Sequence, residues 1–258
     1  MPEFDLPHFS TDLRGQVALV TGATAGLGWR FAQVLASRGA VVAAMGRRAE
    51  RLEALAAEIT AAGGTCVPVP LDIAEPAGLG PAVEQIEAGH GSVTILVNNA
   101  AIPDAQYATR MPLALVDQVI GTNLRAPFLL SSEVARRLID RGLPGRIVNV
   151  SSMGAHHYRG EAASLYSTTK AALERMTEVL SVEWARFHIN VNAIAPGAFA
   201  TEMLRDMMAR HGDVSSGFAR QRLGDPAQLD STLLYLVSPS SEFVTGTIVK
   251  VDDGQNPR

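Results

Sequence analysis

The stretch VALVTGATAGLG at residues 17–28 decides the fold. Its first four residues are apolar and predict a buried strand, and residues 29–37 continue as a helical pattern. Glycines at positions 22, 26 and 28 allow a tight turn and a close backbone approach to a pyrophosphate, whose charge would meet the free N–H groups of the helix. A turn without a ligand is the alternative, but the strand-to-helix context favours a nucleotide site.

Six further runs rich in β-forming residues alternate with helical segments, at 41–45, 66–69, 94–97, 146–150, 190–195 and 247–251. Strict alternation predicts an α/β fold with a Rossmann-like, doubly wound, seven-stranded parallel sheet and helices on both faces. No linker or internal repeat divides the chain. We therefore expect a single domain over residues 1–258, with a loosely tethered arm at 1–14 and a substrate lid at 198–222.

Composition excludes several classes of function. The net charge is -4 without a basic block, so nucleic acid is not an expected partner. No apolar run approaches the length of a membrane span, and the first residues lack a signal-peptide layout, so we expect a protein that stays in the cytoplasm and binds no membrane. The single cysteine and the spacing of the histidines do not match a metal site, and no metal is expected.

Tyr166 and Lys170 stand four residues apart in a predicted helix over 166–184, so both side chains lie on one face. A free phenol has a pKa of about 10, and a nearby ammonium can bring it toward neutrality. The chain has two lysines, and one of them is at this position. The pair predicts proton transfer, although an accidental pairing on a helix surface is the alternative for this spacing alone.

Further motifs occur in a fixed order along the chain. These are the glycine turn, Asp72, the Asn-Asn-Ala run at 98–100, Asn123, Ser152, the Tyr166 and Lys170 pair, the Pro-Gly pair at 196–197 with Thr201, and VDDG at 251–254. Together they resemble the short-chain dehydrogenase/reductase family over most of the chain. The sequence departs from that family at Ala101, where a glycine is usual, and in a segment between Ser152 and Tyr166 that is about one residue longer.

The resemblance implies four catalytic residues. Tyr166 would exchange the proton with the substrate, and Lys170 would lower the pKa of Tyr166 and hold the nicotinamide ribose. Ser152 would orient the substrate oxygen, and Asn123 would hold a relay water. Ser151 should point to the other side of its strand. A helix-kink amide is the structural alternative for Asn123. The cofactor-binding residues would be Gly22, Thr24, Gly26, Leu27, Gly28, Arg47, Arg48, Asp72, Ile73, Asn99, Ala100, Tyr166, Lys170, Pro196, Gly197 and Thr201.

The choice of nicotinamide cofactor is made at the end of the second strand. An NAD site carries a carboxylate about 20 residues past the glycine turn, but this chain has Gly46 followed by Arg47 and Arg48. Guanidinium groups suit a 2′-phosphate, so we expect NADP(H). NAD(H) is the alternative, because the arginines could be surface residues and Ala25 supplies no basic side chain within the turn.

The sequence therefore predicts NADP(H)-dependent reduction of a small-molecule ketone or aldehyde, or oxidation of the matching secondary alcohol. The alternatives are an NAD-dependent dehydrogenase of a sugar, polyol or other secondary alcohol and a non-catalytic nucleotide-binding sensor. The resemblance also implies a homotetramer with contacts at 112–141, at 164–187 and at the C-terminal strand. Leu173, Met176, Leu180 and Trp184 give the second of these helices an apolar stripe, which could instead face the protein's own sheet.

Overall fold

The computed structural model describes residues 9–158 and 162–256. At 210–211, within the second range, it describes the backbone but not the side chains. Its centre is one seven-stranded sheet in the order β3-β2-β1-β4-β5-β6-β7, and every neighbouring pair is parallel. The strands are β1 Val17–Thr21, β2 Val41–Gly46, β3 Thr65–Pro70, β4 Val93–Asn98, β5 Gly145–Val150, β6 Ile189–Pro196 and β7 Ile248–Val251. The predicted fold class is confirmed.

Helices cover both faces of the sheet, and alternate residues of β1 show how. Ala18 and Val20 join one apolar cluster with α1, α2 and α8, whereas Val17 and Leu19 join a second cluster with α3, α5 and α6. The helices are α1 Gly26–Ser37, α2 Ala49–Ala61, α3 Leu79–His90, α4 Leu113–Ile120, α5 Ala126–Arg141, α6 Ser164–Trp184, α7 Glu202–His211 and α8 Asp230–Val237. A π-helical turn, Gly121–Arg125, joins α4 to α5.

The strand order reverses between β1 and β4, and this reversal positions the site. Connections from β1 run outward to β2 and β3, while those from β4 run the other way to β7. The loops after β1 and β4 diverge there and leave a crevice at the carboxyl ends of the strands. Thr21 joins the two strands across the crevice floor, because its Oγ1 accepts from the backbone N–H groups of Asn99 (3.0 Å) and Ala100 (3.1 Å).

Parts of the expected arm and of the expected lid lie within the described residues. Residues 1–8 of the expected arm lie outside the described residues, but Leu13 is fully buried and the Ser238 hydroxyl donates to the Ser10 carbonyl at 2.6 Å. The expected lid at 198–222 contains the helix α7, which Thr201 begins by accepting from the Leu204 N–H (3.3 Å). A side-chain cap at position 201 explains why a helix starts there.

The apolar stripe of α6 packs against the protein's own sheet. Leu173, Leu180 and Trp184 are buried within this chain, so they cannot be the proposed subunit contact. Apolar side chains that do reach the surface near this helix include Val179, Val182, Phe128 and Ile120. Of the helices that the structure describes, none combines the length and the apolar character needed to cross a membrane.

Candidate active site

A cleft of about 1080 Å³ lies at the carboxyl ends of the strands. Its size suits a dinucleotide together with a small substrate, since typical ligand sites are about 300–1,000 Å³. The cleft brings together 16 of the 18 predicted site residues: Gly22, Thr24, Gly26, Leu27, Arg47, Arg48, Asp72, Ile73, Asn99, Ala100, Ser152, Tyr166, Lys170, Pro196, Gly197 and Thr201. Gly28 and Asn123 do not line it.

The glycine turn packs closely on itself and against the loop after β4. Gly22 has φ +66°, and a Cβ there would lie 2.7 Å from the Ala100 Cα. A Cβ on Gly28 would collide with the Gly22 carbonyl, so Gly28 acts behind the turn by letting it pack closely. The result is an open N-terminus of α1 that faces the cleft, and these residues fit the pyrophosphate of a dinucleotide.

Asn99 has a structural task that the sequence did not reveal. Its side-chain amide donates to the carbonyl groups of Thr21 (3.0 Å) and Gly22 (3.2 Å), which fixes the glycine turn to the loop after β4. The amide nitrogen of Asn99 is thereby committed to the glycine turn.

Arg47 and Arg48 both reach the far end of the cleft, but each already faces a carboxylate. Arg47 Nη1 lies 3.7 Å from Asp72 Oδ2. Arg48 Nη2 donates to Thr24 Oγ1 (3.0 Å) and pairs with Glu202 of α7 (3.1 Å). Such half-exposed ion pairs are weak, about 0–1 kcal/mol, so a phosphate could replace either carboxylate.

Lys170 is 2% exposed and lies one turn beyond Tyr166 on α6. Its Nζ is 5.7 Å from the centre of the Tyr166 ring and donates to the Val150 carbonyl at 2.6 Å. Burial lowers the pKa of Lys170 to about 8, and the nearby Glu174 carboxylate opposes this change. The ammonium is therefore held at the end of β5 with a pKa close to the operating range of a proton relay.

The Tyr166 phenol differs from the expectation. Burial raises its pKa, the hydrogen bond with Ser152 lowers it, and the negative charge of Asp104 raises it, with a net increase above 10. The structure thus does not show the approach to neutrality that Lys170 was expected to cause. A phenol in this state stays protonated at neutral pH and is ready to donate a proton.

Ser152 and Ser151 point in different directions, as the strand geometry predicts. Ser152 Oγ accepts from the Gly154 N–H (3.0 Å) beside Tyr166. Ser151 Oγ donates to Glu174 Oε1 (2.7 Å) and to the Lys170 carbonyl (3.2 Å). His156 Nε2 lies 3.1 Å from the same Glu174 oxygen, so these side chains brace α6 behind the cleft.

Asn123 lies in the π-helical turn and is fully buried. Its side chain pairs with the backbone of Ile102, accepting from the N–H (2.9 Å) and donating to the carbonyl (3.0 Å). The Asn123 side chain thus fixes the loop after β4 to the π-helical turn and bonds to another part of the chain rather than to its own helix. Its relay role stays a prediction.

Three charged residues at or behind the cleft were missed by the sequence analysis. Glu202 pairs with Arg48, Glu174 faces Ser151 and His156, and Asp104 accepts from two N–H groups of α6. No local pattern marks them, since each acts on a distant part of the chain. Within residues 9–158 and 162–256, no three His, Cys, Asp or Glu side chains are grouped as metal ligands would be.

Comparison with known proteins identifies the family. The model of the short chain dehydrogenase family matches residues 16–211. The chain is 34% identical to 2-dehydro-3-deoxy-D-gluconate 5-dehydrogenase of Dickeya dadantii, covering 94% of this chain and 96% of the relative. A short-chain type dehydrogenase/reductase from Mycobacterium marinum superposes with a TM-score of 0.92 at 33% identity, over 96% and 98% of the two chains.

A short chain dehydrogenase from Burkholderia cenocepacia, solved in complex with NADP, superposes with a TM-score of 0.88 at 33% identity, over 95% and 99% of the two chains. The chain belongs to the short-chain dehydrogenase family. It is an oxidoreductase that acts on CH–OH or C=O groups, as its relatives are.

The buried ammonium makes a prediction about stability. The folded pKa of Lys170 lies below its unfolded value, so the unfolded chain binds more protons between about pH 8 and 10.5. Burying the charged ammonium therefore lowers the free energy of unfolding by its full amount below about pH 8, and this loss disappears as the pH rises to 10.5. The wild type should therefore gain about 2 kcal/mol relative to Lys170→Met between about pH 7 and pH 10.

Denaturant unfolding of the two proteins at both pH values measures this difference. Lys250→Met is the matched control, because it removes the chain's other lysine from an exposed position on β7. If the difference in the free energy of unfolding between wild type and Lys170→Met were the same at both pH values, the lowered pKa of Lys170 would be contradicted.

Proposed function

We propose that this protein catalyses NADP(H)-dependent reduction of a small-molecule ketone or aldehyde, and the reverse oxidation of the matching secondary alcohol. The observation that carries the proposal is that the Tyr166 phenol lies in the cleft, hydrogen-bonded to Ser152 and with the Lys170 ammonium 5.7 Å from the centre of its ring. A protonated phenol is the acid that reduction of a carbonyl requires. A non-catalytic sensor would have no need for this arrangement.

The residues that would hold the cofactor follow the cleft from end to end. The glycine turn and the N-terminus of α1 would hold the pyrophosphate, Asp72 and Ile73 the adenine, and Ala100 the ribose beside it. The residues at the other end, beside the nicotinamide, would be Pro196, Gly197 and Thr201. When bound, the cofactor supplies the hydride.

The chain's own residues carry the proton. Ser152 and Tyr166 would both donate to the carbonyl oxygen of the substrate, and the phenol would transfer its proton as negative charge develops on that oxygen. Lys170 has three N–H donors, of which one binds Val150, so others can meet ribose hydroxyls and return a proton toward Tyr166. Asn123 holds the loop after β4 in place and, by family resemblance, would connect Lys170 to a relay water.

The substrate side of the cleft supports an apolar ketone. The segment 198–222 contributes Phe199, Met203, Met207 and Phe218, and the loop after β5 contributes Met153. Flexible thioethers and aromatic rings suit a lid over an apolar substrate. The second candidate is oxidation of a sugar acid, which is favoured by the 34% identity to a dehydrogenase named for 2-dehydro-3-deoxy-D-gluconate.

We also propose a homo-oligomer, in which the exposed apolar side chains of α5 and α6 meet another subunit. Phe128 and Val179 line a shallow groove with Ile120 and Met176, and Val182 is 78% exposed on the same helix as Val179. Such a surface favours association. The expected assembly is a tetramer, which a measurement of molecular mass in solution tests.

Tyr166→Phe should keep the fold and cofactor binding but lose at least about a hundredfold in turnover, the usual size of an acid/base contribution. The phenyl ring fills the same space, while the proton is gone. Turnover of a panel of ketones, with binding measured by quenching of protein fluorescence, checks both parts. Near-normal turnover in this variant would refute the proposed role of Tyr166.

The wild type should prefer NADPH to NADH by at least about tenfold in kcat/KM, because a charge-assisted bond contributes about 1.5–3 kcal/mol. Arg48→Ala should reduce this preference. Glu202→Gln should tighten the binding of NADPH but not of NADH, because it frees Arg48 from its ion pair. Arg186→Ala is the control, since Arg186 stacks on Phe187 just after α6 and does not line the cleft.

Calorimetric binding constants for both cofactors provide the measurement that does not depend on turnover. The Gly46→Asp variant with Arg47→Ala should favour NADH, although its new Cβ would lie 2.7 Å from the Thr24 methyl group, which must rotate away. Equal use of NADH and NADPH by the wild type would establish the NAD-linked alternative instead.

A further inference from the structure

The first turn of α6 has no cap of its own. The side chain of the residue before it, Ala163, is a methyl group and has no oxygen to accept from the free N–H groups at the helix start. Asp104 does so from the loop after β4: its Oδ2 accepts from the N–H of Leu165 (2.8 Å) and of Tyr166 (3.1 Å). The cap therefore comes from a residue about 60 positions earlier in the chain, and one of its two bonds ends on the backbone of Tyr166 itself.

The Asp104 carboxylate is built into the site. It is 3% exposed, and its second oxygen accepts from the Ala105 N–H (2.8 Å). Ala105 has φ +51°, a left-handed conformation that residues with a Cβ rarely adopt, so the loop needs external support. Asn123 supplies it through its two bonds to Ile102. The π-helical turn thus holds the loop, and the loop holds the start of α6.

We propose that Asp104 is a positioning residue for the reaction, which clamps the first turn of α6 and so sets where the Tyr166 hydroxyl meets the substrate. This inference rests on the proposed role of Tyr166 as the proton donor. A carboxylate at a helix N-terminus also offsets the positive end of the helix dipole, which would otherwise favour phenolate at Tyr166.

The charge of Asp104 is one of several polar influences around the Tyr166 phenol. Ser152, at the end of β5, hydrogen-bonds to the phenol, and Lys170 faces the Tyr166 ring from the same helix. Glu174 lies behind Lys170, with His156 Nε2 3.1 Å from its Oε1, and His157 lines the cleft. Of these groups, Asp104 carries the negative charge that opposes ionisation of Tyr166.

Two substitutions separate the clamp from the charge. Asp104→Asn keeps an oxygen that can cap α6 but removes the charge, so the pKa of Tyr166 should fall by about half a unit or more. Asp104→Ala removes both, and kcat should fall about tenfold to a hundredfold with little change in KM, as misplacement of a reacting group does. The pH profile of kcat/KM for alcohol oxidation and steady-state kinetics measure the two effects.

A direct titration makes the test independent of turnover. The ultraviolet absorbance of phenolate is followed with pH in wild type and in Asp104→Asn, and the same titration in the corresponding Tyr166→Phe proteins is subtracted to isolate Tyr166 from the other three tyrosines. If the proposed function failed, turnover in Tyr166→Phe would be normal, but this titration would still report on Asp104. If Asp104→Ala does not fold, Asp104→Glu tests the clamp instead, because it keeps the charge but displaces the oxygens that accept from Leu165 and Tyr166. Its kcat should then fall while the titration of Tyr166 stays near that of the wild type.

Asp225→Asn is the matched control. Asp225 also caps a helical turn, accepting from the Ala227 N–H at 2.8 Å, but it does not line the cleft. It should change neither kcat nor the titration of Tyr166. The proposal is overturned if folded Asp104→Ala keeps the wild-type kcat, or, where that variant does not fold, if Asp104→Glu keeps it.

Discussion

The bond from the Lys170 ammonium to the Val150 carbonyl is the constraint on which the site depends. It joins the end of β5 to the helix that carries Tyr166, in a place with almost no access to water. A buried charge is costly unless it is paired, and here a backbone oxygen and the Glu174 carboxylate share that task. Because Ser151 bonds to both Glu174 and the Lys170 carbonyl, the strand and the helix are joined on two sides of the ammonium.

The parallel sheet brings the remaining groups to this ammonium. All its strands end on the same edge, so the glycine turn after β1, the Arg47 and Arg48 pair after β2 and the Ser152 hydroxyl after β5 open onto one cleft. The reversal of strand order between β1 and β4 provides the crevice itself. The proposed chemistry at one end of the cleft and the proposed selection of the cofactor at the other would therefore arise from a single architectural feature.

Sequence reasoning worked where the decisive signal is local. The seven strands, the glycine turn and the Tyr166 and Lys170 pair each depend on the spacing of neighbouring residues, and the structure contains all of them in the expected elements. It failed where partners are distant. Asp104 meets Tyr166 across 62 positions and Glu202 meets Arg48 across 154, contacts that depend on how loops meet above the sheet. The stripe of Leu173 and Leu180 was ambiguous because periodicity cannot distinguish the protein's own core from a partner subunit.

The most direct measurement is the pKa of Lys170 by nitrogen NMR on protein labelled with ¹⁵N-lysine. The chain has only two lysines, so the spectrum contains the Lys170 signal and that of the exposed Lys250, which Lys250→Met assigns. The account predicts that the Lys170 ammonium titrates at about 8, because burial on α6 disfavours its charge. Titration at the ordinary lysine value of 10.5 would contradict it, since burial would then not dominate over the Glu174 charge at the link between β5 and the helix that carries Tyr166.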